Sequence, residues 1–334
     1  MSSVKAVDQT QIDNFRDDFE NLRREIAKVV VGQSDIVDGV LSAAVAGGHV
    51  LVEGVPGLGK TLLIETLSEV IHLSFQRVQF TPDLMPSDLL GTHVIMETPQ
   101  GRRVFEFQEG PIFVNLVLAD QINRGMPKTQ SALLQAMEAG EISVAHETFH
   151  LPQPFFVMAT QNPQEMEGTF PLPEPEIDRF FFKLLAGPPT CQEVEEILER
   201  TTEGEPPEVR HMINGERLLE MRHVARAVTI APELRRLAVT LMAATHPDFA
   251  QAPDVVKQFV RYGSSPRGAQ ALVLGAKIRA AAAGRLQLEL TDLRAVAYPA
   301  LRHRMILNFE GQAEDVRPDR LVDRILETCC GKEG

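Results

Sequence analysis

The chain has 334 residues, a length that predicts about two domains. With 44% hydrophobic and 24% charged residues it resembles an average soluble globular protein, which excludes wholesale disorder. Its net charge of -13 argues against bulk electrostatic binding to nucleic acid, which needs a basic face, and leaves room only for a local basic patch. We expect no transmembrane segment, because no apolar run reaches the ~18 residues that span a bilayer.

The polar N-terminus lacks a signal-peptide core, and three cysteines cannot build a disulfide framework, so we expect a reduced, cytoplasmic protein.

Hydrophobic spacing predicts alternating helices and short apolar strands in the first part of the chain. The predicted helices cover residues 9–30, 34–46 and 61–71. The predicted strands cover residues 49–53, 75–80, 115–119, 155–160 and 180–185. This alternation favours an α/β class with a parallel sheet covered on both faces.

Two segments interrupt the alternation, at residues 91–111 and 140–152, and each is either a hairpin or a surface loop. After residue 188 the composition changes and the pattern becomes helical. The predicted helices there cover residues 191–201, 215–227, 232–246, 265–284 and 291–307. We therefore divide the chain into an N-terminal helix (1–30), an α/β core (31–187) and an α-helical domain (188–334).

The octapeptide GVPGLGKT at residues 54–61 matches the phosphate-loop pattern in full, with a strand before it and a helix after it. Glycines let backbone N–H groups approach the phosphates, and the helix N-terminus adds a positive dipole. Lys60 is expected to reach the β- and γ-phosphates, and the Thr61 hydroxyl to bind Mg²⁺. A chance glycine turn is the alternative. The candidate ATP-contacting residues of this loop are Gly54, Pro56, Gly57, Leu58, Gly59, Lys60, Thr61 and Leu62.

A second apolar strand, NLVLAD, ends in Asp120. A carboxylate at a strand end is often only a turn former, but after a phosphate loop a metal role is the better interpretation. We expect Asp120 to hold Mg²⁺ through water, because Mg²⁺ keeps part of its hydration shell.

Six motifs together resemble the MoxR family of AAA+ ATPases, over about residues 30–307: GVPGLGKT, LADQINR, PKTQSALLQAM, ATQNP, PLPEPEIDRF and SPRGAQAL. The resemblance implies an AAA+ core with a helix-2 insert near residues 91–111, a pre-sensor hairpin near 140–152 and a helical lid. It implies a homo-oligomer, expected to be a hexameric ring, that uses ATP and Mg²⁺ to remodel or activate other proteins. Family members commonly act with partners that carry a von Willebrand factor A domain, and metal-cofactor insertion into a client is one form of this activity.

The resemblance also implies roles for individual residues. Asn162 matches the sensor-1 position, which orients the attacking water. Arg179 matches the arginine finger that enters the site of a neighbouring subunit, and Arg267 matches sensor 2 on the lid. Val31 and Gly32 match the segment beside the adenine.

Position 121 departs from the family pattern, because Gln121 stands where the family has a catalytic glutamate. Glutamine keeps the shape of glutamate but cannot accept a proton at neutral pH. We expect ATP and Mg²⁺ binding to survive and hydrolysis to be strongly impaired, since a general base is worth on the order of 10²–10⁴ in rate. Either the residue is an engineered ATP trap, or the protein naturally turns over little or uses a substitute base; the other intact motifs favour the first.

Three functions follow as hypotheses. The first is an ATPase that remodels or activates a partner protein. The second is a nucleotide-dependent scaffold that holds a partner without turnover. The third, a DNA-acting member of the wider group, fits the acidic composition poorly. The adjacent Cys329 and Cys330 are interpreted as buried thiols on a helix face, with redox sensing as the alternative.

Overall fold

The computed structural model describes residues 7–55, 57–97, 103–144, 147–162, 168–202 and 207–331. In chain order the first part contains α1 (Gln9–Ile26), α2 (Ser34–Ala46), β1 (Val50–Glu53), α3 (Lys60–Val70), β2 (Phe75–Gln79), α4 (Pro86–Leu90), β3 (Gly91–Glu97), β4 (Arg103–Glu109), β5 (Leu116–Asp120), α5 (Pro127–Ala139), β6 (Glu141–Val144), β7 (Glu147–His150), β8 (Phe156–Gln161), α6 (Glu174–Ile177) and β9 (Phe182–Leu185). A 3₁₀ turn, Ile122–Arg124, lies between β5 and α5.

The second part is mainly helical. It contains α7 (Cys191–Thr202), α8 (Gly215–Ala227), α9 (Pro232–Ala243), α10 (Asp254–Phe259), β10 (Val260–Tyr262), α11 (Pro266–Ala282), α12 (Leu290–Leu301), β11 (Ile306–Leu307), α13 (Phe309–Ala313) and α14 (Pro318–Cys330). No helix in these described segments combines the length and the apolarity needed to cross a membrane.

Five strands form one sheet in the order β2-β5-β8-β1-β9, and all of its pairings are parallel. Alternate residues of each strand enter different cores, as the period of two in a strand requires. In β5, Leu116 and Leu118 join the core that includes α1, α2 and α3, whereas Val117 and Ala119 join the core that includes α5. Both faces are thus covered, and the predicted α/β class is confirmed.

The polar loops lie at the two ends of this sheet. Because the strands are parallel, the phosphate loop after β1, Asp120 at the end of β5 and Asn162 after β8 all lie at the carboxyl edge. His49 before β1 and Arg179 before β9 lie at the amino edge. At about 3.3 Å per residue, the five residues from His49 to Gly54 separate the two edges by roughly 16 Å.

The two predicted interruptions are antiparallel hairpins. In the first, β3 pairs with β4 from Gly91–Glu109 to Glu97–Arg103. In the second, β6 pairs with β7 from Glu141–His150 to Val144–Glu147. Both segments therefore form regular β-hairpins and not irregular surface loops.

Four predicted helices are too long, and the one predicted for 265–284 covers only Pro266–Ala282. The helix predicted for 9–30 ends at Ile26, and that predicted for 232–246 ends at Ala243. The largest correction is at 291–307, where α12 ends at Leu301 and Ile306–Leu307 pairs instead with β10. Apolar residues continue through this segment, so the pattern suggested a longer helix. Their burial comes from an antiparallel strand pair and not from further helical turns.

Candidate nucleotide-binding and catalytic site

The loop between β1 and α3 has the backbone that phosphate binding needs. Gly57 and Gly59 have φ values of +85° and +70°, a region that only glycine enters without strain. Gly59 caps α3, so the free N–H groups of the first helical turn face the loop. Such a turn attracts anions through its N–H groups and the helix dipole. Among the predicted contact residues, Pro56 lies outside the described residues.

The Lys60 ammonium group is folded onto this loop. Its Nζ donates to the carbonyl oxygens of Gly54 at 2.6 Å and Val55 at 2.8 Å. Burial lowers the pKa of Lys60, and the nearby Asp120 carboxylate opposes that shift. Lys60 and Asp120, from different parts of the chain, therefore face one small region at the carboxyl edge.

Hydrogen bonds fix the position of the Asp120 carboxylate. Its Oδ1 accepts from Thr160 Oγ1 at 2.7 Å, and its Oδ2 accepts from Arg77 Nη2 at 2.7 Å. The Thr160 hydroxyl also accepts the backbone N–H of Gln121 at 2.9 Å. Neither Arg77 nor Thr160 was predicted from the sequence as a contact of Asp120. Strand pairing is the signal that could have found them, because β2 and β8 flank β5 in register.

The residues at this edge fit a magnesium ion. Thr61 is in the first turn of α3, and Asp120 ends β5 on the face that packs against α3. A hydroxyl and a carboxylate are hard oxygen donors, and Mg²⁺ is commonly held by so few protein groups because it retains several waters.

Gln121 has an unusual backbone conformation at the start of the 3₁₀ turn. Its φ is +55°, which is rare for a residue other than glycine and is often found at functional sites. Its side-chain Oε1 accepts from Arg124 Nη1 at 3.2 Å. Asn162, the predicted sensor-1 residue, follows the neighbouring β8 directly and is 7% exposed. The order β5-β8 thus brings these two polar residues to adjacent strand ends.

The predicted adenine-side segment is attached to the phosphate loop. Gly32 has a φ of +67°, and Gln33 Nε2 donates to the carbonyl of Leu58 at 2.9 Å. Glu193 of α7 covers Gly32 so closely that a Cβ there would lie 2.0 Å from its Oε1. The positive φ favours glycine here, and a larger side chain would also have to displace Glu193, a residue that was not selected from the sequence.

Arg179 and Arg267 lie together, but away from the phosphate loop. Arg179 Nε is 3.4 Å from Glu138 Oε2, and Arg267 Nη2 pairs with Glu138 Oε1. Glu138 follows Met137, whose carbonyl contacts His49 Nε2 at 3.1 Å, which places the cluster at the amino edge. The sheet separates it from the phosphate loop by more than the length of an arginine side chain.

Buried groups hold the segment that carries Arg179. The buried Arg304 donates from Nε to Asp178 Oδ1 at 2.8 Å and from Nη2 to the Phe180 carbonyl at 2.6 Å. Burial lowers the pKa of Arg304 to about 10. Asp178 Oδ2 accepts from Ser265 Oγ at 2.7 Å. The backbone around Arg179 is thereby attached to the helical domain.

The two adjacent cysteines are not activated. Cys329 and Cys330 are partly buried at the end of α14, and burial raises the pKa of both thiols. A raised pKa lowers the reactive thiolate fraction, which favours the structural interpretation.

A parallel sheet with a phosphate-loop motif after β1, a carboxylate at the end of β5 and a helical domain is the architecture of an AAA+ ATPase. The model of the "ATPase family associated with various cellular activities (AAA)" matches residues 49–182, and that of the "AAA lid domain" matches residues 254–325. Chaperone MoxR1 of Mycobacterium tuberculosis is 38% identical over 304 residues, which are 91% of this chain and 80% of that protein. The chain belongs to the MoxR family of AAA+ ATPases.

Other similar proteins cover nearly the whole chain. The uncharacterized protein YeaC of Bacillus subtilis is 40% identical over 90% of this chain and 91% of its own. Protein MoxR of Methylorubrum extorquens is 28% identical over 98% of this chain and 99% of its own. A protein of Cytophaga hutchinsonii, solved by crystallography, is 37% identical with a TM-score of 0.88, over 96% of both chains.

Proposed function

We propose that the chain is one subunit of a ring, expected to be hexameric, that binds ATP between subunits and uses it to remodel or activate a partner protein. The observation that carries this proposal is the position of Arg179 and Arg267. They match the two arginines of AAA+ sites, yet they lie at the amino edge of the sheet, and the strands separate that edge from their own phosphate loop by roughly 16 Å. A second subunit would bring its arginines to that loop and complete the site.

Each residue of the proposed site has one task. Lys60 binds the β- and γ-phosphates, while Thr61 and Asp120 hold Mg²⁺. The ion, when bound, offsets the negative charge of the phosphates. Asn162 orients the attacking water, and the arginines of the neighbouring subunit stabilise charge that develops on the γ-phosphate. Val31 and Gly32 contact the adenine.

Hydrolysis in this chain is proposed to be strongly impaired by Gln121. Its amide accepts a hydrogen bond from Arg124 and can hold a water, but it cannot take the proton. Glu138 and Glu141, two carboxylates near in sequence, lie at the opposite edge of the sheet and offer no substitute base within their own subunit. The rate of ATP hydrolysis after a carboxylate is restored at position 121 therefore distinguishes an engineered trap from a natural scaffold.

The proposed partner is a protein. The curated relative named a chaperone supports protein clients, and the family resemblance supports a partner with a von Willebrand factor A domain. A DNA-acting protein is less well supported because the net charge is -13. The same proposal includes the division of the chain into residues 1–30, 31–187 and 188–334. It also includes a cytoplasmic location.

Particle size with and without nucleotide tests this proposal. We expect ATP with Mg²⁺ to give a larger particle than no nucleotide, measured by light scattering. Arg179→Ala should weaken this growth while each subunit still binds ATP, because the residue serves the neighbouring site. If Arg179→Ala instead abolishes ATP binding in isolated subunits, the residue acts within its own subunit and the proposal is wrong.

A further inference from the structure

One carboxylate serves both candidate trans-acting arginines. Glu138 ends α5 in the core, Arg179 precedes β9 in the core, and Arg267 is in the first turn of α11 in the helical domain. The two oxygens of Glu138 are divided between them, Oε2 to Arg179 and Oε1 to Arg267. The single side chain therefore links arginines from two domains.

This arrangement leaves a surplus of positive charge at the surface. Two guanidinium groups face one carboxylate, and Asp178, the next acid, is 3.8 Å from Arg267 and is already engaged by Arg304. In addition, Arg267 lies at a helix N-terminus, where the helix dipole disfavours a cation. Glu138 offsets both effects, and a more highly charged anion would offset them better.

The three side chains are accessible to another subunit. The exposed fractions are 25% for Arg179, 46% for Glu138 and 43% for Arg267. Their backbones, by contrast, are fixed. His49 accepts the Val157 N–H at its Nδ1, so its Nε2 carries the proton that it donates to Met137, next to Glu138. Rotation of side chains alone can exchange the partners of the arginines.

We propose that the carboxylate of Glu138 holds Arg179 and Arg267 in the free subunit in place of the phosphates of a neighbouring subunit's nucleotide. The inference rests on the proposed trans role of the two arginines. On assembly, both arginines leave Glu138 and bind the triphosphate, so Glu138 competes with the incoming site. Glu138 is thus a positioning residue that sets the concentration at which ATP drives assembly.

The direct test is Glu138→Gln, which keeps the shape of the side chain but removes its charge. An exposed ion pair changes an equilibrium by up to about fivefold. Because the variant loses two pairs that stabilise only the free subunit, the protein concentration for half-assembly in ATP and Mg²⁺ should fall about three- to tenfold. Glu141→Gln is the matched control. It removes one negative charge near the same edge, from an acid that pairs with His150 and not with either arginine, and should change nothing.

A second measurement separates competition from a general effect on folding. In a chain that carries Arg179→Ala and Arg267→Ala, the further change Glu138→Gln should leave the urea unfolding midpoint unchanged, because the carboxylate then has neither arginine to pair with. A merely structural role for Glu138 would persist in that background and would lower the midpoint. The inference is overturned if Glu138→Gln leaves the half-assembly concentration unchanged or raises it, or if Glu141→Gln lowers it equally. If the unsubstituted chain does not grow with ATP at all, the proposed function fails first, and this inference fails with it.

Discussion

Restoring a carboxylate at position 121 should convert a binding protein into an active ATPase. Two hydrogen bonds already position residue 121. The Gln121 N–H donates to the Thr160 hydroxyl, and the side-chain oxygen of Gln121 accepts from Arg124 at 3.2 Å. Gln121→Glu keeps every heavy-atom position and adds a group that can accept the proton of the attacking water. ATP affinity should barely change, because Lys60 and Thr61 supply the phosphate and metal contacts.

The expected gain can be bounded from these contacts. A general base contributes on the order of 10²–10⁴ in rate. Arg124 is exposed, so its ion pair with the new carboxylate is worth at most about 1 kcal/mol, which would reduce the gain no more than about fivefold. The middle of the range, lowered by this factor, leaves a gain on the order of 10²-fold or more.

Steady-state phosphate release at saturating ATP measures this gain. Gln121→Ala is the control, since it removes the side chain without supplying a base and should stay as slow as the unsubstituted chain. A gain below about threefold for Gln121→Glu, with ATP binding and assembly both verified, would refute the trapped-enzyme reasoning, because base catalysis alone is worth more. It would favour a natural nucleotide-dependent scaffold.

Two further predictions concern binding and stability. Lys60→Ala should lower ATP affinity roughly ten- to hundredfold, because charge-assisted contacts are worth about 1.5–3 kcal/mol, and unchanged affinity in a calorimetric titration would contradict the phosphate site. Burial lowers the pKa of His49 from 6.5 to about 4, so the unfolded state binds the proton first and stability falls as pH drops from 6.5 towards 4, by up to about 3 kcal/mol. His49→Asn should flatten this part of the acid dependence in urea unfolding, whereas the exposed His223→Asn should not; equal slopes for both would count against the assignment.

The sequence predicts the carboxyl edge of the sheet well because its signals are local. The phosphate-loop octapeptide needs its glycines, Lys60 and Thr61 at fixed spacing, and the apolar strands β5 and β8 end in Asp120 and Gln161. The bounds of α2 are predicted without error, since Ser34 begins it and Gly47, with a φ of +76°, ends it. Such elements depend on neighbours in sequence and on turn chemistry.

The remaining features depend on contacts between distant segments. Nothing in the sequence near Glu138 indicates that it meets Arg179 and Arg267, because the three residues come together only when α5, the loop before β9 and α11 pack. Likewise, the helix predicted to continue to residue 307 stops at Leu301, because Ile306–Leu307 pairs with a strand 44 to 47 residues earlier, at Val260–Tyr262.

The most direct measurement mixes two variants that are defective for complementary reasons. One carries Lys60→Ala and keeps its arginines; the other carries Arg179→Ala and Arg267→Ala and keeps its nucleotide site. With different fluorescent labels on the two variants, the account predicts that ATP and Mg²⁺ produce energy transfer between them, while neither variant associates with itself. No ATP-dependent transfer in the mixture, with ATP still bound by the arginine-deficient variant, would contradict a nucleotide site completed by a neighbouring subunit.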